Sequence, residues 1–192
     1  MIFILLNNFR KLLQPILNKL GEIFASLIPY PTVWTYLSFI LALFAGILYA
    51  TDNFHPLLLG SLFVLLSGFF DIIDGQVARF SKSVSKKGEF LDSVLDRLSE
   101  FAIYLGIFIG NYTESYLVFI AMSLSFLISY IRSKSELIQV HIRGVGIGER
   151  AERLFIIVIF GIIGFIELAI VAIIIISIIT ILQRLYKVLK NV

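Results

Sequence analysis

Six stretches of nearly unbroken apolar residues dominate the chain, and its polar positions gather at their ends. The stretches run roughly Thr32–Ala50, Pro56–Ile73, Phe90–Ile109, Tyr116–Ser133, Leu154–Gly164 extended back to Arg150, and Leu168–Leu185. A helix of about 20 apolar residues crosses the ~30 Å of bilayer hydrocarbon. The pattern therefore predicts an all-α integral membrane protein with six transmembrane helices. Ahead of them the pattern changes. Ile2, Leu5, Leu6, Phe9, Leu12, Leu13, Ile16, Leu17 and Leu20 recur at helical spacing, with Asn7, Arg10, Lys11 and Lys19 between them. That predicts an interfacial amphipathic helix over residues 1–28. Pro15 is a point for a kink, and Ile28-Pro29-Tyr30-Pro31 is the turn into the bilayer. Residues 29–192 are then one six-helix domain, with no internal repeat and no low-complexity linker. No small-residue cleavage site follows the first residues, so no signal peptide is expected.

Composition supports this reading. The chain is 59% hydrophobic with a mean hydropathy of +0.98, more apolar than a soluble domain. It has no cysteine, which excludes a disulfide framework and thiolate metal sites. Charge adds an orientation. The connections Ala50–Pro56, Gly110–Ser115 and Gly164–Glu167 carry no Lys or Arg. All 16 basic residues lie in the N-terminal segment, Asp74–Arg97, Arg132–Arg153 and the C-terminal tail. The positive-inside rule places these segments and both termini in the cytoplasm. An even number of spans agrees. The cell membrane is the expected location, and nucleic acid is not among the expected partners.

The stretch SGFFDIIDGQVARFSKSVSKKGEFLDSVLDRLSEF, residues 67–101, carries the chemistry. Asp71 and Asp74 close the second span at i,i+3 spacing. Asp92 and Asp96 open the third at i,i+4, so each pair shares one helix face. A short loop joins the two helices, and the four carboxylates are expected to converge near the membrane boundary. Four carboxylates together repel one another. Divalent cations relieve that repulsion, and oxygen ligands without Cys or His favour Mg²⁺, Mn²⁺ or Ca²⁺ over Zn²⁺, with Mg²⁺ or Mn²⁺ the expected cofactor. Four acids provide for two ions, with phosphate oxygens of a substrate completing the coordination. Gly75 and Ala78 leave room beside Asp71 for a group to approach the backbone. Arg79 stands ready to pair with phosphate, and Gly88 precedes Asp92 by one turn. A single acidic pair at a helix end is often solvated surface. Acids near the membrane are costly and usually functional, and here four of them stand with two Gly, an Ala and an Arg at apolar helix ends.

Asp71, Asp74, Gly75, Ala78, Arg79, Gly88, Asp92 and Asp96 match the pattern D-x2-D-G-x2-A-R-x8-G-x3-D-x3-D at every position. The chain thus resembles the CDP-alcohol phosphotransferase family over most of its length. The resemblance implies a homodimer of six-helix bundles with a polar cavity open to the cytoplasm. It implies that Asp71, Asp74, Asp92 and Asp96 hold two metal ions and that Asp96 is also the general base. Asp71, Asp74, Gly75, Ala78, Arg79, Gly88 and Asp92 would form the CDP site. The expected reaction moves a phosphoalcohol group from a CDP-linked donor to an acceptor hydroxyl and releases CMP.

A second basic cluster, residues 129–155, together with Arg184, presents cations at three helix ends. Arg132 ends the fourth span, Arg153 begins the fifth, and Arg184 lies near the end of the sixth. Such a set suits an anion, naturally a phosphate. Lys134, Arg143, Lys187 and Lys190 are read instead as products of the positive-inside rule. The runs Val145–Arg153, GEFLDSVLDR, Ser129–Glu136 and Gln183-Arg184 resemble the branch making phosphatidylinositol phosphate and archaetidylinositol phosphate. That likeness implies inositol 1-phosphate as acceptor, with its phosphate on Arg132, Arg153 and Arg184, and a CDP-lipid donor, CDP-diacylglycerol or CDP-archaeol. The segment His141-Ile142-Arg143-Gly144 departs from the branch. Asp92-Ser93-Val94-Leu95-Asp96-Arg97 differs from the D-P-x-A-D-K ending usual with glycerol 3-phosphate. The alternatives are di-myo-inositol phosphate phosphate synthesis from CDP-inositol, and glycerol 3-phosphate or serine as acceptor. A transporter, the competing class, is expected to place acids at the midplane and preferably to use repeated or broken helices; here the acids sit at span ends and no inverted repeat is evident.

Overall fold

A computed structural model describes residues 2–191 apart from Asn53 and Arg143, and describes side chains from Gln14 onward. The apolar stripe from Ile2 to Leu13 and the reading of Arg143 therefore lie outside the described side chains. Among the described residues every regular element is a helix. They are α1 (Ile2–Leu27), α2 (Pro31–Ala50), α3 (Pro56–Phe80), α4 (Lys86–Ile109), α5 (Ser115–Leu137), α6 (Arg150–Ile162) and α7 (Ile166–Asn191).

Four of these, α2, α3, α5 and α7, are long and apolar enough to cross a membrane. With 25 residues α3 is about 37 Å long, so the helix continues past the predicted span and carries the motif out to Arg79. The predicted third and fifth spans fall on α4 and α6. The first of these opens with charged residues. The second has 13 residues, about 20 Å of helix. Gly164 ends it at φ +84°. The Phe165 N–H donates to the Phe160 carbonyl (2.7 Å) and the Gly164 N–H to Gly161 (3.2 Å), a paired closure that glycine's left-handed backbone permits.

The chain folds as two compact units, Met1–Ile40 with Leu66–Asp96, and Leu41–Leu65 with Arg97–Val192. In the first, Ala25, Trp34, Ile73 and Val77 form the core against Phe24, Leu37 and Phe70. The Trp34 ring stacks on Phe70 at 5.7 Å, and its indole N–H donates to the Ile28 carbonyl at 3.1 Å. That bond anchors the predicted Ile28–Pro31 turn. A side chain at Gly21 would stand 2.8 Å from Gln76 Cβ, so glycine lets α1 lie directly on α3.

In the second unit α2 and α4 approach backbone to backbone. A Cβ on Gly106 would meet the Gly46 carbonyl oxygen. Such contact is how helices associate where water supplies no hydrophobic drive. Tyr49 shares a hydrogen bond with Ser61 (2.8 Å) and Tyr104 with Ser125 (3.0 Å), all buried. Leu168, Ile175, Ile178 and Leu182 face outward instead. The core joins these small and hydroxyl-bearing residues to Ile103, Ile107, Ile157, Ile170 and Ile173, and close contacts at small residues are how helices pack in lipid.

Candidate metal and nucleotide site

The loop between α3 and α4 is ordered by its own sequence. Ser85 caps α4, accepting a hydrogen bond from the Gly88 N–H at 3.1 Å. A serine oxygen satisfies an N-terminal N–H that has no partner within the helix. With this start, Asp92 and Asp96 fall on successive turns of α4. They meet Asp71 of α3: one carboxylate oxygen from each of Asp71, Asp92 and Asp96 lies within 4.8 Å of the others. All three are partly accessible.

Asp74 departs from the expected four-way convergence, since the tight group contains the other three acids. Asp74 is buried at 7% exposure. Thr35, whose hydroxyl donates to the Pro31 carbonyl at 3.2 Å, lies beside its carboxylate, and Asp71 and Asp92 are close enough to act on its charge. Its Oδ2 has no hydrogen-bond partner. A buried carboxylate oxygen without a partner is costly, and a cation is the natural group to relieve it. Three clustered carboxylates and this oxygen fit a hard divalent ion. Among the described residues no histidine joins the group.

Beside the acids lies a cavity of about 380 Å³, within the range of small-molecule sites. Asp74, Gly75, Ala78, Arg79, Gly88 and Asp92 all line it, along with Tyr30, Pro31, Thr32, Ser83, Val84, Ser85 and Glu89. Asp92 thus belongs both to the acidic group and to the cavity wall. Six of the eight motif residues share one surface, and Asp71 and Asp96 meet it through Asp92. Sequence reading missed Thr35, Ser85 and the Tyr30–Thr32 wall. Ser85, preceding Lys86-Lys87-Gly88-Glu89, carried a capping signal.

Gly75 has nothing within 4 Å of the place a Cβ would occupy. It is open because it faces the cavity. Gly75→Ala should keep or slightly raise the melting temperature, since alanine in a helix is favoured by about 1 kcal/mol over glycine. The same methyl should raise the KM for a nucleotide-linked donor severalfold. An unchanged KM would remove Gly75 from the site.

The arginines belong to the second unit. Arg132, Arg153, Glu149 and Glu152 all lie within electrostatic reach of Arg184, so the three arginines form a cluster. Each already has a carboxylate partner. Arg132 pairs with Glu136 at 3.1 Å and stays partly exposed. Arg153 is 1% exposed and grips Glu100 with two bonds, Nε to Oε1 at 2.8 Å and Nη2 to Oε2 at 2.9 Å. Its Nη1 donates to the Gly148 carbonyl at 2.6 Å. Arg184 donates to Glu149 (3.2 Å) and to the carbonyls of Val145 (2.9 Å) and Ile128 (2.8 Å). The loop before α6 is held by these bonds and by Thr180, whose Oγ1 accepts from Ile147 and Gly148. Gly146, at φ +113°, lies so close to Thr180 that a side chain there would collide with it. Glu100, Glu136 and Glu149 were not read as partners. Glu100 was legible, four residues beyond Asp96 and on the same helical stripe.

A CDP-alcohol phosphatidyltransferase family model matches residues 28–183. Archaetidylinositol phosphate synthase of Pyrococcus horikoshii is 36% identical over 149 residues, 78% of this chain and 77% of the relative. That of Methanothermobacter thermautotrophicus is 34% identical, over 80% and 75% of the two chains. The fold is shared with Mycobacterium tuberculosis phosphatidylinositol phosphate synthase. With CDP-DAG bound it superposes at TM-score 0.75 with 23% identity, over 91% of this chain and 94% of that one. In complex with manganese and citrate the TM-score is 0.76 at 23% identity, over 90% and 88%. The matched region contains every residue of the acidic motif, and this chain belongs to the CDP-alcohol phosphatidyltransferase family, making it a transferase.

Proposed function

We propose that the chain transfers a phosphatidyl-type group from a CDP-lipid to inositol 1-phosphate and releases CMP. The observation that carries this is the meeting of Asp71, Asp92 and Asp96 beside a cavity lined by the rest of the motif. The relatives' names supply the acceptor, and the related structure holding CDP-DAG supplies the donor class. CDP-diacylglycerol and CDP-archaeol both fit this reading.

Asp71, Asp74, Asp92 and Asp96 would hold Mg²⁺ or Mn²⁺, as two ions; the related structure with manganese agrees with a divalent metal. When bound, such ions neutralise the donor pyrophosphate and the departing CMP. The chain's own residues do the remainder. Gly75 and Ala78 let the cytidine approach the α3 backbone, and Gly88 does the same at α4. Arg79 meets phosphate charge at the cavity wall. Asp96 takes the proton of the acceptor hydroxyl as its oxygen bonds the donor's β-phosphorus and the bond to CMP breaks. Arg132, Arg153 and Arg184 supply the positive field for the acceptor's phosphate. Glu100 and Glu149 orient Arg153 and Arg184 for that task.

Six spans, an interfacial α1, and termini and active site on the cytoplasmic side complete the reading, on the placement of all 16 basic residues. A homodimer is part of it too, testable by cross-linking in native membranes.

The decisive experiment offers one CDP-lipid to inositol 1-phosphate, inositol, glycerol 3-phosphate and serine at equal concentration, and measures CMP release and lipid product. Inositol 1-phosphate should dominate. Preference for serine or free inositol refutes the anion site. Glycerol 3-phosphate preference keeps the site and changes the acceptor, and turnover of CDP-inositol in place of CDP-lipid favours the rival synthesis. Asp96→Asn should keep donor binding and slow turnover at least ~100-fold, the usual scale for a general base. Near-normal turnover would assign the proton transfer to another group.

A further inference from the structure

A second, larger cavity of about 600 Å³ lies between the last turns of α1 and the C-terminal end of α3, outside the motif. Its polar wall comes from Asn18, Lys19 and Glu22 on one helix and Gln76 and Arg79 on the other, with Phe80 beside them. The spacings of three and four residues present one face of each helix to the groove. Gln76 is more than nine-tenths buried, lines the groove, and its side chain has no hydrogen-bond partner among the described residues. Its amide is therefore open to the groove and available to hydrogen-bond a ligand there. Lys19 and Arg79 likewise form no ion pair with any described residue. Two cations and one carboxylate leave the groove one positive charge in excess. That charge matches a phosphodiester monoanion. Glu22 and the amides of Asn18 and Gln76 are the groups that bind hydroxyls. Depth selects the ligand further. Long and apolar enough to cross a membrane, α3 ends at Phe80, and the end of such a helix belongs at the depth of lipid headgroups.

We propose that this groove binds the headgroup of a phospholipid bearing one phosphodiester charge and free hydroxyls, as a second lipid distinct from the donor. The phosphodiester sits between Lys19 and Arg79, and the hydroxyls face Glu22, Asn18 and Gln76. Gly21 makes the site possible, since any side chain there would press α1 away from Gln76. Arg79 lines both cavities, so a lipid in the groove holds one wall of the nucleotide cavity in place.

The test is lipid retention by native mass spectrometry of the full chain, taken from nanodiscs of equimolar phosphatidylglycerol, phosphatidic acid and phosphatidylcholine with matched acyl chains. Phosphatidylglycerol should be retained about tenfold over phosphatidylcholine, the scale of one charge-assisted hydrogen bond. Lys19→Ala, an exposed substitution, should remove that preference with an unchanged melting temperature. Gln76→Leu should lower the preference for phosphatidylglycerol over phosphatidic acid. Asp92→Asn, in the other cavity, should leave retention intact. Equal retention of phosphatidylglycerol and phosphatidylcholine overturns the proposal. So does retention indifferent to both Lys19→Ala and Gln76→Leu. Retention lost in Asp92→Asn but not in Lys19→Ala would place the lipid in the nucleotide cavity. Displacement by equimolar glycerophosphoglycerol would mean a site for free phosphodiesters, not lipids.

Discussion

Asp92→Asn is expected to abolish turnover, and excess EDTA to do the same to the unaltered protein. Asp92 is the one residue that both joins the carboxylate group with Asp71 and Asp96 and lines the cavity. Asparagine keeps its volume and one oxygen but removes the charge that draws a hard cation. A second measurement does not depend on activity. Three carboxylates within 4.8 Å of one another repel, so Mg²⁺ or Mn²⁺ should raise the melting temperature of the native chain. Binding to the folded state alone stabilises by about 2.7 kcal/mol at a hundredfold excess over Kd. Asp92→Asn should lose most of that rise, and Asp71→Asn should behave alike. Full activity in EDTA, or a metal-dependent rise undiminished in Asp92→Asn, would sink the metal assignment.

Arg153→Ala should cost both stability and acceptor binding, and the two effects are separable. The Arg153–Glu100 pair is 1% exposed on both sides and bidentate. Removing the arginine leaves a buried carboxylate without its partner, a loss of about 3–5 kcal/mol. Replacing both partners with uncharged groups of similar volume is near neutral by the same reasoning. Glu100→Gln combined with Arg153→Met should therefore recover most of the melting temperature lost by Arg153→Ala. The KM for inositol 1-phosphate should stay raised in both variants, with the CDP-lipid KM little changed. A double variant that recovers a normal acceptor KM would reduce Arg153 to a purely structural role. One that recovers neither would show that the pair is needed as a pair.

The acceptor cluster shows why charge in a sequence underdetermines a site. Arg132, Arg153 and Arg184 read as three free cations at helix ends. In the folded chain each has a glutamate, and Arg153 is among the most buried side chains of the molecule. In low dielectric a cation must find a partner, and which carboxylate it finds depends on helix packing. Glu100, from a helix 53 residues upstream of Arg153, is the case in point.

The sequence by itself determined the helices, their order and the residues of the acidic group and its cavity. Hydrophobic runs set the elements because a bilayer leaves a backbone no other way to satisfy its hydrogen bonds. The spacing of Asp71, Asp74, Gly75, Ala78 and Arg79, and of Gly88, Asp92 and Asp96, set which residues share a helix face. Tertiary structure decided the remainder. It brought Asp71 to Asp92 and Asp96 while leaving Asp74 buried against Thr35, a contact between helices that no periodicity encodes. It turned the glycines of Val145–Arg153 into close contacts with Thr180. It set Gln76 beneath Gly21, and so opened a groove that neither helix shows alone. Local pattern follows from each residue's own neighbours along the chain, whereas these contacts are fixed only when distant segments compete for the same space.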